Sequence, residues 1–266
     1  MANPQTAGPL GRVAVLIPTY NERVNLPRIV ARTRAAVPEA DVMVLEDNSP
    51  DGTGAVADDL SQGDPQVHVM HRARKEGLGA AYLAGFRWAL GEGYDAVVEM
   101  DADGSHQPEV LRAMLLAAEQ ADVVLGSRWV PGGSVVNWPA HRRALSVGGN
   151  LYVRVLLGMP VSDATAGYRV YRSSALRLLD LDSVASSGYC FQVDMTWRAV
   201  RRGLTVVEVP IEFVERQVGD SKMSQDIVRE SMRRITGWGV AHRAQQLTSR
   251  ARQLSVRRQE AQWHRP

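Results

Sequence analysis

The sequence predicts an α/β protein built on a mostly parallel central sheet with helices on both faces. Three observations predict it. Short β-branched runs alternate with longer helical patterns through the first half of the chain. Those runs are apolar enough to be buried strands, and polar clusters gather just past their ends.

Val13 to Pro18, Val42 to Asp47, Val67 to His71, Ala96 to Asp101 and Val123 to Ser127 read as the strands. Between them, Asn25 to Ala36, Thr53 to Leu60, Gly79 to Leu90 and Pro108 to Gln120 carry helical spacing. The second half is less regular. Arg128 to Arg143 is rich in Gly and Pro and reads as a loop, Val206 to Pro210 as a further strand, and Ser224 to about Gln246 as a helix. There is no internal repeat and no low-complexity segment.

A chain of 266 residues, 45% hydrophobic and 23% charged, supports one large α/β domain with a short appendage. Met1 to Gly11 is polar and contains Pro and Gly, so disorder is expected over residues 1–11, a nucleotide-binding domain over 12–222, an amphipathic helix over 223–248 and a basic tail over 249–266. The single cysteine, Cys190, excludes an intramolecular disulfide, and the N-terminus lacks a signal pattern; both fit a cytoplasmic protein. No stretch reaches the ~18 uninterrupted apolar residues of a membrane span. The nearest, Val147 to Val161, is broken by Asn150 and Arg154. A lipid substrate would therefore be met at the membrane surface.

The net charge of +2 is unevenly spread: from Lys222 onward there are ten Lys/Arg against three Asp/Glu, a segment of +7 on a body of −5. A basic tail on an acidic body suggests an anionic partner, a phospholipid surface or a nucleic acid, and the acidic body argues against nucleic acid.

Thr19-Tyr20-Asn21-Glu22, Glu46-Asp47-Asn48-Ser49 and Asp101-Ala102-Asp103 would all fall at one edge of the sheet. Ligands of open α/β sheets bind in the crevice outside the carboxyl ends of the strands, so this edge reads as a nucleotide site. Asp101 and Asp103, two hard oxygen donors two positions apart, can share Mg²⁺ or Mn²⁺ with substrate phosphates, although Asp103 could instead serve as a cap before Pro108. Asp51 and Thr53 read as turn and N-cap residues, which leaves Asp47, at the strand tip, as the candidate for a nucleobase or ribose contact. Gly77-Leu78-Gly79 is not a dinucleotide fingerprint, because Tyr82 stands at the third glycine position; a tight turn at a helix start is its reading.

Together Val15-Leu16-Ile17-Pro18-Thr19-Tyr20-Asn21-Glu22, the Glu46 to Thr53 segment and Met100-Asp101-Ala102-Asp103 resemble family 2 glycosyltransferases of the GT-A fold. Gly126-Ser127-Arg128, Asp163-Ala164-Thr165-Ala166-Gly167-Tyr168-Arg169 and Phe213 to Lys222 are similar to segments of polyprenol (dolichol) phosphate mannose synthases. The resemblance spans Val13 to Ser224. It implies that Pro18, Tyr20, Glu22 and Asp47 hold the nucleoside, with Leu45 lining its pocket. It implies that Asp101 and Ala102 contact ribose and diphosphate, and that Asp103 binds the metal. Arg128, Arg216 and Lys222 would meet phosphate groups, a task suited to a guanidinium fork or an ammonium point charge. Ser105 stands where some relatives carry Gln; its hydroxyl is a weaker metal ligand than an amide carbonyl and would act through water, and His106-Gln107 is the other contributor considered.

The implied reaction is a single displacement with inversion, moving mannose from GDP-mannose to a polyprenyl phosphate; UDP-glucose is the alternative donor. A nucleotidyltransferase would share the carboxylate pair but leave Arg216 to Lys222 unexplained. Ile227, Val228, Met232, Ile235 and Trp238 share one helical face, with Arg229, Arg233 and Arg234 on the other. That helix suits anionic lipid, a membrane-embedded partner protein, or packing on the core. Arg250, Arg252, Arg257 and Arg258 read as a mobile tail.

Overall fold

The computed structural model describes residues 8–184, 189–215, 232–241 and 243. Its first half follows the expected alternation: β1 (Val13–Thr19), α1 (Leu26–Ala36), β2 (Asp41–Glu46), α2 (Thr53–Gly63), β3 (Val67–His71), α3 (Leu78–Gly91), β4 (Ala96–Glu99), α4 (Leu111–Ala118) and β5 (Val123–Ser127). Each helix buries one stripe. In α1, Leu26, Ile29, Val30 and Thr33 face the sheet at helical spacing, behind a proline in the first turn where its missing N–H costs nothing. The segment expected as a helix from Pro108 to Gln120 opens with a 3₁₀ turn, Pro108–Val110, and its α-helical part ends at Ala118.

The second half holds β6 (Ser134–Val136), α5 (Ala140–Leu157), β7 (Arg169–Arg172), α6 (Ser173–Leu178), α7 (Tyr189–Arg201), β8 (Val206–Pro210) and β9 (Glu212–Val214). The loop expected over Arg128 to Arg143 is therefore corrected: it contains β6 and the first turn of α5. The Val147 to Val161 stretch is largely the interior of α5, which buries only Asn150, Val153 and Leu157. Among the described residues no helix is long and apolar enough to cross a membrane.

Seven strands form one sheet in the order β3-β2-β1-β4-β7-β5-β8. All pairings are parallel except those of β7, which runs antiparallel to both β4 and β5. An antiparallel strand between two others leaves those two pointing the same way. The carboxyl ends of β1, β2, β4 and β5 consequently open on one edge. A small parallel sheet, β6 with β9, stands beside it. Two apolar cores cover the sheet, one against α1, α2 and α4 and one against α3, α5, α6 and α7, which is why the inner strands are buried on both faces.

Two expectations about the chain ends change. Disorder does not run to Gly11: the Gly8 amide donates to the Glu119 carbonyl at 2.9 Å, Arg172 Nη1 donates to the Gly8 carbonyl at 3.1 Å, and Leu10 packs on the core. The C-terminal helix is described over residues 232–241, here α8, and its apolar face lies on the body. Ile235 is buried in the core, Trp238 stacks on Trp197 with ring centroids 5.7 Å apart, and Thr236 hydrogen-bonds Tyr152 of α5 at 2.6 Å. Packing on the core is found for Ile235 and Trp238, whereas Met232 of the same expected face is exposed. Ile227, Val228, Arg229, Arg250, Arg252, Arg257 and Arg258 lie outside the described residues.

Candidate active site

The crevice begins where β1 and β2 end. The Asp47 amide donates to the Thr19 carbonyl (3.1 Å), the Asn21 amide to Ser49 Oγ (3.2 Å), and the Glu22 amide to Thr53 Oγ1 (3.0 Å). The two loops are thus laced together backbone to side chain. Asn21 and Asn48 sit in the left-handed region, φ 58° and 56°, a conformation asparagine tolerates better than bulkier residues. Asp51 is the expected turn residue, its Oδ1 accepting from both the amide and hydroxyl of Thr53, but the cap position belongs to Gly52 and Thr53 is the first residue of α2. Glu46 steadies the loop from below by accepting the Asn48 and Ser49 amides at 3.0 and 2.6 Å. His71 stands 3.6 Å from Glu46 and 2.8 Å from Asp58. The hydrogen bond to Asp58 holds the His71 pKa above its ordinary value, against the opposing effect of burial.

Along this wall the sequence-predicted nucleoside residues separate by depth. Pro18 and Tyr20 are half-buried, while Glu22 and Asp47 are buried polar groups. Burial pushes the Asp47 carboxyl up from its ordinary pKa, with Arg72 pulling the other way. Leu45 needs correction: its side chain is fully buried in the core beneath α3 and lines no open surface. Gly77, at φ 95°, opens α3 as the expected tight turn.

Past β4 the chain turns through Asp101, Ala102 and Asp103. The Asp101 amide donates to His106 Nδ1 at 3.0 Å, so the proton of a neutral His106 is on Nε2, the nitrogen 3.8 Å from Asp101 Oδ2. The Ser105 amide donates to Asp103 Oδ1 at 2.9 Å, and the Ser105 carbonyl accepts from Val214 of β9. Gln107 turns away, donating to the Gly104 carbonyl and accepting from Arg32. Gly167 backs onto this turn; a Cβ there would come within 3.3 Å of His106 and 3.7 Å of Asp101 Oδ2, so glycine keeps that carboxylate accessible. The donor set, two carboxylates and the Ser105 hydroxyl, is all hard oxygen and fits Mg²⁺ or Mn²⁺. Among the described residues no cluster of three His, Cys, Asp or Glu side chains surrounds a metal position. An ion here would complete its shell from water and substrate phosphate, as Mg²⁺ commonly does.

The far wall follows β5. Arg128 grips Asp163 through Nε–Oδ2 and Nη2–Oδ1 bonds of 2.7 Å each, and Asn150 and Thr165 complete the cluster. Burial works to raise the Asp163 pKa, but the Arg128 guanidinium prevails and holds it below the ordinary carboxylate range. Arg128 is therefore not the open fork that the sequence suggested: among the described residues Nε and Nη2 are already engaged, and Nη1 alone has no hydrogen-bond partner. Its guanidinium carbon lies 5.4–5.7 Å from the rings of Trp129, Trp138 and Phe213. A Cβ on Gly133 would be 2.6 Å from the Ser127 carbonyl, so the strand leading into β6 crosses directly over this spot.

Two cations missed by sequence reasoning join here from the first turn of α5. Arg142 stacks on Trp138 at 4.3 Å and pairs with Glu215 at 2.6 Å, and Arg143 lies 5.9 Å from Trp129. The signal that could have found them is Pro139, a helix-entry residue, followed by Val153 and Leu157 at helical spacing on one face. Trp129 Nε1 and Trp138 Nε1 are buried without a partner among the described residues. The two walls are continuous: His106 stacks on Tyr168 at 5.0 Å and meets Phe213 edge-on at 5.6 Å. Arg216 and Lys222 lie outside the described residues.

A mostly parallel sheet thus carries an acidic crevice at its carboxyl edge and a cationic, aromatic wall opposite, an arrangement suited to a nucleotide-bound group. The glycosyl transferase family 2 model matches residues 14–179, and this chain belongs to that family. It is 57% identical to the undecaprenyl-phosphate mannosyltransferase of Micrococcus luteus, over 90% of this chain and 98% of the relative. It is 56% identical to the polyprenol monophosphomannose synthase of Mycolicibacterium smegmatis, over 91% of this chain and 92% of that one. Its fold is that of glucosyl-3-phosphoglycerate synthase from Mycobacterium tuberculosis, solved with Mn²⁺, UDP and glucosyl-3-phosphoglycerate, at TM-score 0.60 and 19% identity over 84% of this chain and 77% of that chain.

Proposed function

We propose that this chain is an inverting glycosyltransferase that moves mannose from GDP-mannose to a polyprenyl phosphate. The observation that carries the reading is the continuity of the two walls. His106, bonded to Asp101 on the donor side, packs on Phe213, which helps enclose Arg128 on the other. A nucleoside diphosphate and a phosphate acceptor can therefore lie within one crevice. The names of the two mannosyl-transferring relatives support the same donor sugar and lipid acceptor.

Pro18, Tyr20, Glu22 and Asp47 would hold the nucleoside, and Asp101 and Ala102 the ribose and diphosphate. A divalent cation held by Asp101 and Asp103, with Ser105 directly or through water, would neutralise charge developing on the departing diphosphate. Arg142 and Arg143, with Nη1 of Arg128, would receive the acceptor phosphate, and Arg216 and Lys222 would complete the cationic set on their sequence pattern. That phosphate has a second pKa of about 6 by analogy with phosphorylated side chains, so it is ionised at neutral pH and attacks without a dedicated base.

The acceptor's hydrocarbon must leave the crevice along an apolar path. Leu145, Leu151 and Val155 of α5 are exposed beyond Arg142 and Arg143 and offer one. We place the enzyme at the cytoplasmic face of a membrane with this side of α5 toward lipid or toward a membrane-embedded partner. The test is a donor panel, GDP-mannose against UDP-glucose, with a short polyprenyl phosphate and divalent cation, the product being weighed by mass spectrometry. Hexose transfer from GDP-mannose alone supports the reading; transfer from UDP-glucose alone overturns it.

A further inference from the structure

α5 turns three side chains into the protein, the apolar Val153 and Leu157 and the amide of Asn150. A buried amide is tolerated only when its hydrogen bonds are made, and asparagine is a weak helix former besides. Both ends of the Asn150 amide are engaged. Nδ2 donates to the Ser146 carbonyl at 3.1 Å, to Thr165 Oγ1 at 3.0 Å and to Asp163 Oδ1 at 3.2 Å, and Oδ1 accepts from the Thr165 amide at 3.3 Å.

Three of those four bonds run to the loop before β7, whose backbone is held independently: Glu208 of β8 accepts the Ser162 and Asp163 amides at 2.7 and 2.9 Å. What the Asn150 bonds reach beyond the loop is Arg128. Thr165 Oγ1 donates to Asp163 Oδ1 at 3.1 Å and accepts from Arg128 Nη2 at 2.9 Å, and the same Asp163 oxygen takes Nη2 at 2.7 Å. A guanidinium is a rigid plane, so with Nε and Nη2 both fastened the direction of Nη1 follows from the placement of this cluster.

The same helix carries Arg142 and Arg143, about two turns before Asn150. Arg142 and Arg128 lie against one ring, their guanidinium carbons 4.3 and 5.4 Å from the centre of Trp138. Apolar packing of Val153 and Leu157 is non-directional and would let α5 shift along or about its axis. Hydrogen bonds are directional and fix both.

We propose that Asn150 and Thr165 are positioning residues for the acceptor phosphate. Acting through Arg128 rather than on the substrate, they aim Nη1 into the crevice and hold α5 so that Arg142 meets the same phosphate. This deepens the acceptor reading above and rests on it.

The experiment is steady-state kinetics of the full-length protein with GDP-mannose, a short polyprenyl phosphate and Mg²⁺, varying each substrate in turn. The proteins are wild type, Asn150→Leu, Thr165→Val, Thr165→Ser and the Asn150→Leu/Thr165→Val double variant, each with a thermal melt. Asn150→Leu and Thr165→Val should each raise KM for the lipid phosphate roughly tenfold, the loss expected for one hydrogen bond to a charged group, while KM for GDP-mannose stays within about twofold. Thr165→Ser keeps the hydroxyl and should restore the wild-type KM. The double variant should cost little more than either change alone, because both break one relay. An equal rise in both KM values, a kcat loss at unchanged lipid KM, or a lower melting temperature with normal kinetics overturns the proposal and leaves the acceptor reading standing. Should Asn150→Leu not fold, the contrast between Thr165→Val and Thr165→Ser decides. Wild-type protein that transfers mannose to no polyprenyl phosphate overturns the acceptor reading itself, and the proposal with it.

Discussion

Arg128 and Asp163 form a bidentate ion pair, with Asp163 fully buried and both contacts at 2.7 Å, between a strand tip and a loop 35 residues further along the chain. It ties the tip of β5 to the loop before β7 in the far wall of the crevice. Breaking such a pair leaves a buried charge uncompensated, which costs about 3–5 kcal/mol, whereas replacing both partners can be nearly neutral. Asp163→Ala should therefore lower the melting temperature far more than Asp163→Ala combined with Arg128→Met. Because the folded Asp163 pKa lies below its unfolded value, its stabilisation is complete above the ordinary carboxylate range and is lost as pH falls from that range down through the lowered folded pKa. Thermal melts of wild type and Asp163→Ala from neutral to acid pH check this: the gap between them should close on the acid side.

His71 should titrate above its ordinary pKa, because the Asp58 hydrogen bond favours the imidazolium. An NMR titration of its ring protons reads this directly, and Asp58→Asn should move the midpoint down. His71 is half exposed, so its stabilising effect, present below its unfolded pKa and lost as pH rises through the folded one, should be small.

Asp103→Ala should abolish transfer while leaving the melting temperature within about 1 kcal/mol of equivalent stability, since the carboxylate sits on a partly exposed turn. Activity assays with and without chelator check it. Residual activity near wild type that still responds to chelator would place the ion elsewhere.

The packing of α8 separates two surfaces that the sequence presents as one. Ile235→Asp should cost several kcal/mol, because it buries a charge against α5 and α7. Leu151→Glu and Val155→Glu lie on the exposed side of α5 and should leave the melting temperature nearly unchanged while weakening co-sedimentation with anionic vesicles. Vesicle binding that survives both changes would remove α5 from the membrane-facing surface.

The parallel half of the fold was legible because each strand there is a short β-branched run and each helix has its own apolar stripe, as in Val13–Thr19 followed by Leu26, Ile29, Val30 and Thr33. β7 was not. Its four residues, Arg169–Arg172, begin and end with arginine, and the buried Arg169 is satisfied by carbonyls of Ala164, Ala166 and Gln192, hydroxyls of Tyr171 and Thr196, and the nearby Glu99 carboxylate. α5 was missed for the opposite reason. Apolar residues such as Leu145, Leu151 and Val155 point outward while Asn150 points inward, so its periodicity is blurred. The carboxylate turn was recognisable from local spacing. The partner of Arg128 was not, because no local pattern links it to Asp163, and Arg142 and Arg143 became visible only once α5 carried them to Trp138 and Trp129.

The anomeric configuration of the product tests the inverting displacement most directly. GDP-mannose carries an α-linked sugar, and a single displacement by the lipid phosphate must leave a β-mannosyl phosphate. Incubating the full-length protein with GDP-mannose, a short polyprenyl phosphate and Mg²⁺, then recording the anomeric one-bond carbon–proton coupling of the purified lipid, should show the β-anomer alone. An α-mannosyl phosphate, or mannose released to water with no lipid product, would contradict it.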